Sequence, residues 1–277
     1  MGYRDRSIKS METVLVHWNT FIDGRKYFRF KDICDFIVYS KNKINAMSVK
    51  SYTGYFMVLL TLNNVILDKR EHEILKKIKK AISEEKIIVE KFKTTWSAGQ
   101  ALERMKKIQV NSLSHPSHHG QKLSMLILLK CPLRIHELYS IIRENVKIDG
   151  DNILITLPVV TKTMNPGTTF KIIDYEDKEL KISTYYELYC KKTEPKKIYK
   201  KGCLVTPVWV KENGDEIKQI TLHMWIKKIL RQLGIGDYYP HSIRSAVVAD
   251  KRENNNTSIE DIMKLGRWKI EDTVKQY

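Results

Sequence analysis

Apolar positions in the first third of the chain recur every three to four residues, the period of a helix with one buried face. The spacing predicts helices over 11–22 and 30–39, with Lys31, Asp32 and Asp35 on the polar side of the second. Val49, Tyr52, Tyr55, Phe56, Leu59 and Leu60 form a third stripe, for which Ser48 is the candidate N-cap. Asp68 then opens a strongly charged helix over 68–89, buried through Leu75, Ile78, Ile82 and Ile87. Its outer face carries Lys76, Lys77, Lys79 and Lys80, and the pattern ends near 90–95. That break divides the chain into a helical domain, 1–95, and a second domain, 96–277.

The second domain mixes periods. A helix is expected over 97–108, a loop over the Ser-, His-, Pro- and Gly-bearing stretch 111–120, and an apolar helix over 121–129 that stops at Cys131-Pro132. Residues 145–175 alternate and turn as a small antiparallel sheet does. Val146-Lys-Ile148 precedes the turn Asp149-Gly150-Asp151, 153–160 is a β-branched run, and Asn165-Pro166-Gly167 turns the chain back into 170–173. A helix over 182–190, a basic loop over 191–201 and a short strand over 204–210 follow. Thr221 is the expected cap of a helix through Leu222, Trp225, Ile226, Ile229, Leu230 and Leu233, closed by Gly234, with Lys227, Lys228 and Arg231 on its polar face. Pro240 opens a helix bearing His241 and Arg244. After a loop over 254–257, Ser258 and Asp261 cap a further helix that Gly266 closes. The fold class is mainly α with a small antiparallel sheet (α+β).

Composition narrows the partners. Of 277 residues 42% are hydrophobic, enough for packed cores, and the length favours two domains. A net charge of +17 attracts polyanions. Nucleic acid comes first among these, because no amphipathic or lipidation signal points to a membrane surface. No apolar run approaches the roughly 18 residues of a membrane span, and the N-terminus lacks the apolar core of a signal peptide. These features predict an intracellular protein. Cys34, Cys131, Cys190 and Cys203 lack Cys-x-x-Cys spacing and read as reduced thiols. His115, His118 and His119 have no carboxylate or cysteine at ligand spacing, so a solvated loop is expected there and no metal.

Two stretches carry candidate chemistry. Arg134 stands among Leu133, Ile135 and Leu138 and needs a counter-charge, which Glu137 supplies one turn on. His241 and Arg244, at i and i+3, point the same way on a helix, and Trp268 and Tyr277 follow. A phenolic oxygen forms a covalent intermediate when a base removes its proton and cations stabilise the developing charge, a constellation suited to a phosphodiester. The plainer alternative is a structural Arg–Glu pair and a terminal amphipathic helix with a core Trp and a surface Tyr. The residues alone leave both open.

The ordered boxes resemble those of the tyrosine recombinases, the phage-integrase family. These are Arg134-Ile-His-Glu137-Leu138, Thr161-Lys162-Thr163, His241-Ser-Ile-Arg244, Leu265-Gly-Arg-Trp268, and Tyr277 nine positions after Trp268. Arg267-Trp268 and His-Ser-Ile-Arg-Ser-Ala are similar in style to the eukaryotic or viral Crypton-like transposon recombinases. The resemblance covers about 97–277 and implies a helical DNA-clamping domain ahead of a catalytic one. It makes Tyr277 the nucleophile that forms a 3′-phosphotyrosyl link, and Arg134 and Arg244 the phosphate clamp. His241 becomes the base and Trp268 a hydrogen-bond donor. Lys162 is the acid, with Lys171 its rival, and Glu137 supports the architecture. The family's chemistry is DNA integration and transposition without metal, ATP or other cofactor. Its partners would be double-stranded DNA and, in a synaptic complex, three further copies of the chain, which is otherwise a monomer in free solution. Its place is the nucleus in a eukaryotic host and the cytoplasm otherwise. On DNA, Lys76, Lys77, Lys79, Lys80, Lys227, Lys228 and Arg231 would face phosphates. A type IB topoisomerase-like relaxing enzyme and an inactive DNA-binding relic are the alternatives.

Overall fold

A computed structural model of the chain describes residues 5–25, 27–44, 46–84, 96–111, 113–158, 167–200, 202–236, 238–254 and 257–266. The chain divides into two compact units, Met1–Lys91 and Phe92–Tyr277. As the hydrophobic periods predict, it is mainly helical with a small antiparallel sheet.

The first unit is built from α1 (Asp5–Ile22), α2 (Phe30–Lys43), α3 (Ala46–Leu62) and α4 (Lys69–Glu84). Val14 and Trp18, one turn apart on α1, meet Ile33, Phe36 and Ile37 of α2, Val49, Phe56 and Leu60 of α3, and Leu75 and Ile82 of α4. Trp18 is the hub, with ring centroids 5.0 Å from Phe36 and 4.8 Å from Phe56. Truncating such an aromatic costs about 3–5 kcal/mol. Asp68 caps α4 as expected: its carboxylate accepts the Glu71 N–H at 2.8 Å, and the Glu71 carboxylate accepts the Asp68 N–H at 2.9 Å. The expected cap at Ser48 is not found, because α3 starts at Ala46 and Ser48 lies inside it. Ile87, the end of the predicted helix 68–89 and the break at 90–95 lie outside the described residues.

The second unit is organised on α6 (Pro116–Lys130), a helix buried on nearly every side and packed by α5 (Ala98–Lys106), α8 (Ile182–Lys192), α9 (Gln219–Gln232) and α10 (Ser242–Asn254). Gly120 permits the close approach, since a Cβ there would stand 2.6 Å from Trp225 and 3.2 Å from Tyr189. The loop expected over 111–120 is therefore half wrong. Helix α6 starts at Pro116, where a missing N–H is harmless, and the His115 ring accepts the Ser117 N–H at 3.2 Å. His119, taken for a solvated loop residue, is fully buried on α6 and its Nε2 bonds Asn111 O at 3.0 Å. Lys122 is also buried, donating to Ile108 O at 2.9 Å beneath the Tyr185 ring, and burial moves its pKa down to about 8.

Strands β1 (Val146–Asp149), β2 (Asn152–Thr156) and β3 (Thr169–Ile173) pair antiparallel in chain order, with Val146 opposite Ile155 and Ile153 opposite Ile172. Ile153, Ile155 and Ile172 face the core, and Gly150 takes the left-handed turn position at φ 56°. The stretch read as a basic loop contains β4 (Ile198–Lys200), which pairs with β5 (Cys203–Val205); the strand expected over 204–210 shrinks to that hairpin and isolated bridges at Pro207 and Val210. Helix α9 begins at Gln219, so Thr221 is inside it rather than its cap. Helix α11 (Ile259–Gly266) carries the expected cap, the Ser258 hydroxyl accepting the Asp261 N–H at 3.2 Å.

Asp174, buried just past β3, accepts the Ile182 N–H at 2.6 Å and the Ser183 N–H at 3.0 Å, closing the start of α8 against the sheet. Removing it leaves those donors buried and unmet. Asp174→Ala should cost about 1–3 kcal/mol in urea or thermal unfolding, and Asp174→Asn, which keeps an acceptor, should cost less. An unchanged melting temperature in the alanine variant would refute this role.

Candidate active site

The site is assembled from three short segments. Helix α6 ends at Lys130, Pro132 prevents its continuation, and α7 (Ile135–Tyr139) starts at once. Arg134 is the residue ahead of α7. Its N–H donates to Glu137 Oε2 at 2.7 Å and its Nη1 to Glu137 Oε1 at 2.9 Å. Glu137 has 0% of its surface exposed, whereas 27% of the Arg134 side chain remains open. The sequence expectation of a paired Arg134 and Glu137 is met. Below them, the buried Trp209 indole donates to Leu138 O at 2.6 Å and the Ser140 hydroxyl to Glu137 O at 2.8 Å, so this short helix is held from several sides.

The second segment is the turn before α10. Ser242 N–H donates to Tyr239 O at 2.8 Å, Ile243 N–H to Pro240 O at 3.2 Å, and Arg244 N–H to His241 O at 3.2 Å. His241 thus stands one residue before the helix, not on it, and its relation to Arg244 is kept by the tight turn. Arg244, 2% exposed, reaches back to donate to Pro132 O across 112 residues of sequence. The third segment is the start of α9, which brings Gln219.

Together Leu133, Arg134, Ile135, His136, Gln219, Pro240, His241 and Arg244 enclose a cleft of about 240 Å³. Sequence reasoning missed His136 and Gln219. The available signal for His136 was its place inside the Arg134–Glu137 turn; nothing in the sequence singled out Gln219.

Partial burial of the ring, then the charges of Arg244 and Arg134, hold His241 below its ordinary 6.5. At neutral pH it is therefore an uncharged imidazole able to take up a proton. Two guanidiniums offer forked donors and no lone pairs, which suits a tetrahedral oxyanion and not a metal ion. Among the described residues no cluster of three or more His, Cys, Asp or Glu side chains could hold a metal.

Lys162, Trp268 and Tyr277 lie outside the described residues. Lys171 is described: it is exposed on β3, opposite Leu154, and does not line the cleft. In the first unit, Lys76, Lys77 and Lys80 are exposed on α4 and Lys79 is half-buried. Glu73 lies 3.5 Å from Lys76 and Glu84 3.6 Å from Lys80, which offsets part of that charge. Lys228 and Arg231 are exposed on α9, while Lys227 is half-buried 5.2 Å from the Tyr239 ring centroid. Since α9 begins in the cleft at Gln219, this row runs to about 18 Å from it at 1.5 Å per residue.

No protein-family model and no curated protein matches the sequence. Solved structures do match in shape. A XerH site-specific recombinase bound to its difH substrate in a pre-cleavage complex superposes with TM-score 0.68 at 11% identity, over 97% of this chain and 75% of that one. The Tn1549 transposon integrase in complex with transposon right end DNA gives 0.67 at 12%, over 99% and 89%. A lambda integrase dimer bound to a COC′ core site gives 0.60 at 12%, over 100% and 89%. The chain has the fold of these recombinases and integrases. No helix among the described residues is long and apolar enough to cross a membrane.

The depressed His241 fixes a sign. Its folded state binds fewer protons than the unfolded chain between the two pKa values, so its contribution to stability is present above 6.5 and is lost as pH falls through the lower folded value. An NMR titration should place the His241 midpoint below 6.5. A midpoint at or above that value would contradict the burial of the ring and its proximity to the two guanidiniums.

Proposed function

We propose that the protein is a site-specific DNA recombinase or integrase that cuts and rejoins DNA through a 3′-phosphotyrosyl intermediate. The observation that carries this reading is the cleft in which Arg134, His241 and Arg244 converge from distant segments. The recombinase fold supports it, because XerH, the Tn1549 integrase and lambda integrase share that fold and stand on DNA in their structures.

In this mechanism the guanidiniums of Arg134 and Arg244 take the non-bridging oxygens of the scissile phosphate and offset the charge that builds in the transition state. His241 accepts the phenolic proton of Tyr277, whose unperturbed pKa near 10 leaves it mostly protonated at neutral pH. The Tyr277 oxygen bonds to phosphorus as the bond to the 5′-oxygen breaks, and Lys162 protonates that leaving oxygen. Trp268 donates a hydrogen bond to the phosphate. Attack by a 5′-hydroxyl of a second duplex reverses the step and conserves the bond, so no nucleotide cofactor is consumed. The roles of Lys162, Trp268 and Tyr277 rest on the boxes of the sequence. The same boxes, with Arg267-Trp268, favour a mobile-element recombinase of Crypton-like style.

The first unit, with the Lys-rich face of α4, is the DNA-binding domain of this proposal, and α9 supplies a second basic face through Lys227, Lys228 and Arg231. A lambda integrase tetramer bound to a Holliday junction has the same fold at TM-score 0.58, and the working assembly proposed here is likewise a homotetramer on DNA.

A pool of nicked suicide duplexes with randomised cores tests the chemistry without knowledge of the target site. Wild-type protein should form a covalent adduct, Tyr277→Phe should form none, and Arg134→Lys or Arg244→Lys should cleave at least about 100-fold more slowly while retaining DNA affinity. A Lys side chain keeps the charge and removes the fork, which isolates bidentate contact from attraction. An adduct that persists in Tyr277→Phe would overturn the assignment of the nucleophile.

Affinity for duplex DNA should fall steeply between about 50 and 200 mM salt, each neutralised phosphate adding about 0.9 to the log–log slope. Replacing Lys76 and Lys77 with Gln should make the slope shallower. Binding indifferent to salt would remove the basic helices from the interface.

A further inference from the structure

Trp96 opens the described part of the second unit and lies outside the cleft. Its indole N–H donates to the Ser242 hydroxyl at 2.9 Å, across 146 residues of sequence. Ser242 is the first residue of α10 and the chain neighbour of His241. The same segment grips α10 again two turns on, where the Gly99 N–H donates to Asp250 Oδ1 at 3.2 Å. A Cβ at Gly99 would stand 3.3 Å from that oxygen, slightly tighter than ordinary contact, so the two elements are closely packed there. Between these two points Arg244 reaches away to Pro132 O. Helix α10 is thus held from one side by Trp96 and the first turn of α5, and from another by the loop bearing Arg134.

We propose that Trp96 is a positioning residue: its indole N–H, by holding the Ser242 hydroxyl, sets the turn that presents His241 to Arg134 and Arg244. This rests on the reading of His241 as the proton acceptor. The half-buried Trp96 ring also packs on the core, a role that any large aromatic fills. The N–H is what a phenylalanine lacks, and it falls on a residue bonded directly to His241. In the cleft His241 faces Arg134 and His136 from the α7 segment and Arg244 from α10, while α9 contributes the neutral Gln219. Loosening the turn lets the ring move from the guanidiniums and toward water. Both changes raise its pKa.

The test uses the full chain with Trp96→Phe, Ser242→Ala and the double variant, with His241→Gln to identify the imidazole resonance. Each single variant should raise the His241 titration midpoint. Each should also slow adduct formation on the nicked duplex pool roughly tenfold, a modest misplacement at the reacting centre, with DNA affinity unchanged. The double variant should be no worse than either single, because both remove the same bond. A Trp96→Phe protein that loses thermal stability but keeps the wild-type midpoint would reduce Trp96 to packing and overturn the proposal. If the midpoint shifts while even the wild type forms no adduct, the positioning contact stands and the recombinase reading fails.

Discussion

The buried carboxylate of Glu137 is the constraint on which the cleft depends. A charge with 0% exposure costs several kcal/mol unless it is paired and hydrogen-bonded. Here the main chain and the side chain of Arg134 meet that requirement together. The pair therefore does more than neutralise charge. It fixes the first turn of α7 and holds the Arg134 guanidinium at the wall of the cleft. Pro132 stands two residues before Arg134, and its carbonyl accepts from Arg244. One rigid corner thus places both guanidiniums.

That corner also sets the protonation of the third group. Partial burial and then two fixed positive charges disfavour the imidazolium of His241. The cations proposed to receive a phosphate add to the burial that disfavours protonation of the proposed base. In the proposed reaction a bound phosphodiester brings negative charge between them and relieves part of the imidazolium penalty, so proton uptake by His241 would become easier as substrate arrives. The arrangement favours proton transfer in the loaded cleft over the empty one.

Much of this was legible in the sequence because it depends on local rules. The cap at Asp68, the stop at Pro132, the turn at Gly150 and the three-residue spacing of Arg134 and Glu137 follow from chain geometry. What was not legible depends on tertiary burial. His118, His119 and Gly120 carry loop-forming composition, yet they lie in α6 because Trp225 and Tyr189 pack against that turn and Asn111 O accepts from His119. Lys122 is a buried lysine for the same reason, with a carbonyl and an aromatic face that no local pattern announces. Ser48 and Thr221 were reasonable caps whose helices begin two residues earlier, a margin that propensity does not resolve. Gln219 enters the cleft only because α9 starts beside α7.

The two sets of cations then divide their work by environment. Lys76, Lys77, Lys80, Lys228 and Arg231 are exposed, and α4 and α9 present them in water where each pairing is weak and screened by salt. Such groups give attraction without geometry: the loss of one is shared by its neighbours. Arg134 and Arg244 are few, held by buried partners and unable to adjust. In the proposed reaction their orientation cost is met when the chain folds, before charge develops on a bound phosphate. In the proposed reaction, affinity and chemistry are then carried by different residues with different sensitivities. Salt acts on the first set, and a lost hydrogen bond at Glu137, Pro132 or Ser242 acts on the second.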